Sequence, residues 1–330
     1  MVQLKRVLVV CLAFAGALVL AELFVRYLVH YPVYGVSERV YGMRAPGISS
    51  NLFSPYSENW SVEGGNRVYR RNNLGLTGVD ISLSAGTKHV FVLGDSYIQS
   101  YEVAPESMAT SRLYKHLIER YTDWSVVNLG RSGFDPYDSF YRSVYFESTL
   151  LPSAVFLVVA EGNLGLFAHR KHPLLFPSII DHRTDSSLFI RIHQYARNNS
   201  SLINLIARVV YENQAFFNQN NEGDAAPEGE PHGPSLAGDS LVMNEMFQCV
   251  DQFNGRYGQR FVLISIARDQ DLNRSLREYC SLKHVAFESM SINEARFKIG
   301  RLGHLNSEGQ NTLGDLLYDS FAKHIAEQSR

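Results

Sequence analysis

The chain has 330 residues, 45% of them hydrophobic and 12% aromatic, which is enough to bury a sizeable core. Its net charge of -2, with no basic stripe, argues against a nucleic-acid partner. Three cysteines without CxxC or CxxH spacing give no metal framework, and no cofactor is expected.

In chain order, the first feature is an apolar run. Lys5 and Arg6 precede VLVVCLAFAGALVLAELFV, residues 7–25, interrupted only by Glu22. A helix needs roughly 20 apolar residues to cross a bilayer, so residues 1–30 read as a membrane anchor. The small residues Ala15, Gly16 and Ala17 sit in mid-run, unlike a cleavage site. The basic pair predicts a cytoplasmic N-terminus, with the body of the chain on the periplasmic side of the inner membrane. Arg26, on the far flank, runs against that orientation. Cys11 lies in the run without the preceding small residue that lipid attachment wants, and is read as a packing residue.

Residues 31–87, rich in Gly, Ser, Asn and Tyr, read as a juxtamembrane segment lying on the main domain. From residue 88 onward the pattern alternates. Apolar runs at 88–93, 124–129, 154–160, 261–266 and 284–288 are continuous rather than alternating, as strands covered on both faces are. Helices are predicted over 106–120, 138–150, 241–257 and 271–281. In the first, Met108, Leu113, Leu117 and Ile118 are placed on one side. A last helix begins after Asn306 or Ser307, with Glu308 in its first turn. Strands alternating with helices predict an α/β domain over 88–330: a three-layer α/β/α sandwich with a mostly parallel sheet. An insertion at 165–240 breaks the rhythm. Its part 218–240 has almost no large apolar residues and reads as a flexible loop. His169 and His172 in that insertion flank Arg170 and Lys171, a solvated basic patch. Cys249 and Cys280 either form a disulfide, as an oxidising compartment would permit, or stay as two buried thiols.

In an open parallel sheet, ligands bind beyond the carboxyl ends of the strands. The first strand exits into Gly94, Asp95 and Ser96, the second into NLGRSG at 128–133, and the third into Glu161, Gly162 and Asn163. His304 lies just before the last helix. A serine, a histidine and amide donors at one sheet edge are the parts that acyl transfer needs. The hydroxyl needs a base, and the oxyanion of the tetrahedral intermediate needs donors. Ser96 N–H, Gly133 N–H and the Asn163 side chain are the candidate donors. Asp95 reads as a structural turn residue and Gly130 as a turn glycine.

These blocks resemble those of the SGNH (GDSL-type) serine hydrolases, over about 88–325 with the insertion unmatched. GDSY at 94–97 implies Ser96 as nucleophile and donor. NLGRSG implies Gly133 as a donor, EGNL implies Asn163, and GHLNSEGQ implies His304 as base. AELFVRYL and RRNNLGLTG at 70–78 resemble membrane-tethered bacterial members. The resemblance implies a flavodoxin-like sandwich and an esterase acting on acetyl-like esters of an envelope carbohydrate or lipid. The same serine would equally serve an acyltransferase acting on an envelope glycan.

Two departures stand out. Glu161 and Leu164 replace the usual glycine and aspartate of the third block. Arg301 stands three residues before His304, where the family usually has the aspartate that orients the histidine. Three readings follow: a Ser–His dyad, a distant carboxylate such as Glu294 or Asp135, or a weak or non-catalytic scaffold. Arg301 itself is either a solvated charge or a contact for an anionic substrate group.

Overall fold

The computed structural model describes residues 2–30, 53, 55–61, 67–161, 199–203, 205, 206, 209, 240–291, 295–299 and 304–326. The expectations for Asn163, Arg301, Glu294, His169, His172 and the loop 218–239 lie outside the described residues. The chain divides into two compact units: residues 1–36, 58–60 and 185–230 in one, and 37–57, 61–184 and 231–330 in the other.

In the first unit, helix α1 (Val2–Tyr27) is long and apolar enough to cross a membrane. Val9, Val10, Leu12 and Phe14 are exposed, whereas Val25 near its end is buried. Glu22, the acidic interruption, is engaged. Its carboxylate accepts hydrogen bonds from the Ser200 hydroxyl (2.7 Å) and from the N–H groups of Ser201 and Leu202 (both 3.0 Å). Arg26 pairs with it at 2.8 Å.

The second unit holds one parallel five-stranded sheet: β1 (Lys88–Leu93), β2 (Trp124–Asn128), β3 (Pro152–Val159), β4 (Phe261–Ser265) and β5 (Ala286–Ser289). Its strand order is β2-β1-β3-β4-β5, with every pairing parallel. This is the flavodoxin-like doubly wound order, whose switch point lies between β1 and β3. A short antiparallel pair, β6 (Lys298–Ile299) and β7 (His304–Leu305), lies apart from the sheet.

Alternation along each strand makes the three layers. Phe91, Val127, Val155, Leu157 and Leu263 face one way and pack with α4 (Pro136–Glu147), α5 (Ser240–Tyr257) and α6 (Gln270–Leu282). Val90, Val92, Val126, Phe156 and Ile264 face the other way. They pack with α2 (Ser96–Gln99), α3 (Ala109–Ile118) and α7 (Ser307–His324). Leu76 and Ile81, from the stretch before β1, belong to the first cluster.

Most predicted elements match within a few residues, and Asn306 caps α7 by accepting from Gly309 N–H at 3.0 Å. The placement of the apolar side of α3 needs correction. Ile118, placed on the apolar side of α3, is exposed, whereas Leu113 and Leu117 are buried. Met108 is buried but precedes the helix as its N-cap. Cys249 and Cys280 form no disulfide. Both are buried as thiols in the core cluster, the second of the two alternatives, where cysteine packs as a small apolar residue. Burial pushes the Cys280 thiol up to about 12.

Candidate active site

The site begins where β1 ends. Asp95 caps the one-turn helix α2 by accepting the Tyr97 N–H at 2.9 Å, the structural role expected of it. Ser96 is therefore the first residue of a helical turn at the strand's carboxyl end, and is half-buried. Such a position presents a hydroxyl while the backbone stays fixed. Ser100 ends the turn in the left-handed region, at φ 56°. Its hydroxyl donates to the carbonyls of Tyr97 (2.8 Å) and Ile98 (3.1 Å). The chain then runs on into Tyr101 and Glu102.

The β2 exit is bound tightly to this turn. The buried Asn128 donates to the Ile98 carbonyl (2.7 Å) and the Thr110 hydroxyl (3.1 Å), and accepts from Gly130 N–H (3.0 Å). Arg131 N–H donates to the Gly94 carbonyl at 3.0 Å. Gln99 accepts from Ser132 N–H at 2.8 Å. Gly130 is more than a turn residue, because a Cβ there would lie 2.6 Å from Gln99 N and from Ile98 Cβ. Its missing side chain is what lets the loop reach α2. Gly133 is exposed at φ +77°, with open space where a Cβ would be.

His304 arrives on β7, which packs against α2. Its ring meets the ring of Tyr97, the neighbour of Ser96, edge-on, with centroids 6.2 Å apart at 70°. Lys298, on the paired strand β6, donates to the Tyr97 hydroxyl at 3.1 Å. From α7, Gln310 donates to the Tyr97 carbonyl (2.7 Å) and accepts from Ala109 N–H (2.9 Å), tying α2, α3 and α7 together.

The carboxylate partner of His304 is Glu102. Its Oε1 lies 3.6 Å from His304 Nδ1, and the two side chains are 10% and 14% exposed. A shielded carboxylate beside Nδ1 restrains the orientation of the ring. Glu102 was not among the sequence candidates. Asp135, which was, caps α4 in a capping box, accepting from Asp138 N–H at 2.9 Å. The available signal was the acid six residues after Ser96, on the same stretch of chain as that serine.

Glu161 has a role of its own. Its carboxylate accepts from the N–H groups of Arg268 and of Asp269 (3.1 Å), joining the β3 and β4 exits. Among the described residues, no group of three His, Cys, Asp or Glu is placed to hold a metal ion.

No protein-family model matches the chain, and no curated protein matches it. Solved structures with a similar fold include TesA, at 12% identity over 71% of this chain and 98% of that one, with a TM-score of 0.42. The psychrotrophic esterase EstA from Pseudoalteromonas sp. is 12% identical over 72% and 97%, with a TM-score of 0.42. A Clostridium thermocellum family 3 carbohydrate esterase is 12% identical over 74% and 100%, also at 0.42. These likenesses are remote; the strand order and the two-sided core define this chain as a doubly wound α/β protein in their own right.

Proposed function

We propose that the chain is a membrane-anchored serine esterase of the SGNH type, acting outside the cytoplasmic membrane on acyl esters of a carbohydrate or lipid. Ser96 is the nucleophile, His304 the base and Glu102 the carboxylate that orients it. The observation that carries this reading is the ion pair of Glu102 with His304 Nδ1, on a strand packed against the helix that Ser96 opens. It supplies the part that Arg301 seemed to deny.

In the first half-reaction, Ser96 Oγ attacks the ester carbonyl while its proton passes to His304. Backbone N–H groups of Ser96 and Gly133, with the Asn163 amide, are the proposed donors to the oxyanion. The alcohol leaves with the proton from His304, and water then releases the acid from the acyl-serine. A sugar hydroxyl in place of that water would make the same machinery an acyltransferase.

The test is covalent labelling of the detergent-solubilised chain with a fluorophosphonate. Wild type is expected to label, and Ser96→Ala is expected not to. A folded wild type that fails to label would reduce the site to a scaffold. Mass analysis of a glycan incubated with an acyl donor would then separate transfer from hydrolysis.

A further inference from the structure

Beside the candidate active site lies a cleft lined by Thr77, Gln99, Tyr101, Asn128, Arg131 and Arg142, among others. It shares walls with the site: Gln99 ends α2, and Arg131 stands two residues before Gly133. Its enclosed space is about 10 Å³, room for one water-sized group such as an anionic oxygen, and the rest is open to solvent.

Arg142, on α4, is only 6% exposed. Its guanidinium carbon lies 5.6 Å from the ring centre of Phe134 and 5.7 Å from that of Phe146. Its Nε is buried without a hydrogen-bond partner. Among the described residues, no carboxylate pairs with it. Other arginines here are matched: Arg112 binds Asp315 and Arg256 binds Glu147. Arg71, the other deeply buried one, places its terminal nitrogens on Ser57 Oγ (2.9 Å) and Tyr69 OH (3.0 Å). Burial first, and the like charge of Arg131 second, disfavour the charged form of Arg142. A buried cation that meets no carboxylate among the described residues is poorly compensated unless an anion enters.

We propose that this cleft holds an oxyanion of the substrate, a carboxylate or phosphate, with Arg142 as its buried counter-charge and Arg131 at its side. The word substrate rests on the esterase reading; the binding of the anion does not. An anionic group held there would lie against the loop that presents Gly133. The ester would then belong to an acidic saccharide or a phosphorylated alcohol rather than to a neutral one.

The experiment is thermal unfolding of the full chain in detergent at fixed ionic strength, titrated separately with inorganic phosphate, D-glucuronate and neutral glucose. In wild type, at least one of the two anions should raise Tm saturably, by roughly 2–4 °C at ten times its Kd. Glucose should not. A response to glucuronate alone names a carboxylate, and one to phosphate alone names a phosphate. Arg142→Met should weaken binding of the active anion at least tenfold, with an unliganded Tm no lower than wild type, because an uncompensated charge has been removed. Should that variant not fold, Arg131→Gln must weaken binding at least threefold. Ser96→Ala should keep the full anion response. The proposal is overturned if neither anion shifts wild-type Tm beyond chloride at equal ionic strength, or if Arg142→Met responds like wild type. Loss of fluorophosphonate labelling with the anion response intact would instead sink the esterase reading alone.

Discussion

At the scale of single residues, the proposed activation of Ser96 turns on Glu102. If that carboxylate stabilises imidazolium, Glu102→Gln leaves the packing nearly unchanged but removes the charge. Turnover of p-nitrophenyl acetate should fall on the order of 10²–10⁴-fold, with KM close to wild type. The fluorophosphonate labelling rate should fall in parallel. A variant within threefold of wild type would return the site to a Ser–His dyad. Gly130→Ala is a second test at this scale. Its new Cβ would fall 2.6 Å from backbone Gln99 N, so α2 or the β2 exit must shift. Activity should drop at least tenfold, while the melting temperature changes by only a few degrees. The places of Ser96 after the first strand and of His304 just before the last helix were legible in sequence, because each sits in a local block. Glu102 was not, because its pairing with a residue 202 positions later is purely tertiary, and nothing local in the sequence sets it apart from other distant carboxylates such as Asp135.

At the scale of elements, the sheet was legible because strands buried on both faces read as unbroken apolar runs, and the helices between them carry their caps in sequence. The single turn α2 was not, since four residues contain no helical period. The role of Glu161 was hidden for a related reason: its N–H partners lie on another loop. One element contact carries a pH dependence. Glu288 on β5 binds Lys323 and His324 on α7, at 2.6 and 2.8 Å. Burial pushes its carboxyl up, but the bonds and charges of Lys323 and His324 outweigh burial, and it titrates below the ordinary carboxylate range. A lowered folded pKa means stability that is present above the unfolded pKa of about 4.3 and lost as pH falls through the folded one. Denaturant melts between pH 6 and 3 should therefore show wild type losing more stability than Glu288→Gln. The difference should be about 0.5–1 kcal/mol, the range of a partly exposed pair. Equal slopes would show that this contact does not contribute.

At the scale of the whole molecule, α1 is long and apolar enough to cross a membrane, and the question is what else it does. A carboxylate in an apolar helix is unfavourable unless it is engaged, and Glu22 is held by three donors at residues 200–202 together with Arg26. The sequence showed Glu22 only as a blemish in a hydrophobic run. The structure makes it the acceptor at the start of the turn at 201–203, where a negative charge is favoured. The proposed anchoring and the contact with residues 200–202 are separable in one helix, and a single substitution divides them. Glu22→Ala makes the run more apolar, so the chain should remain in the membrane fraction after an alkaline carbonate wash, as wild type should. The three donors lose their acceptor, at about 1–3 kcal/mol for a group left unsatisfied, and the stretch around 200 is released. Limited trypsin digestion of membranes should then cut at Arg197 or Arg208 several times faster than in wild type, while fluorophosphonate labelling of Ser96 is unchanged. Unaltered digestion would mean that residues 199–203 are held by something other than Glu22. Loss from the membrane would mean that Glu22 is part of the anchor itself.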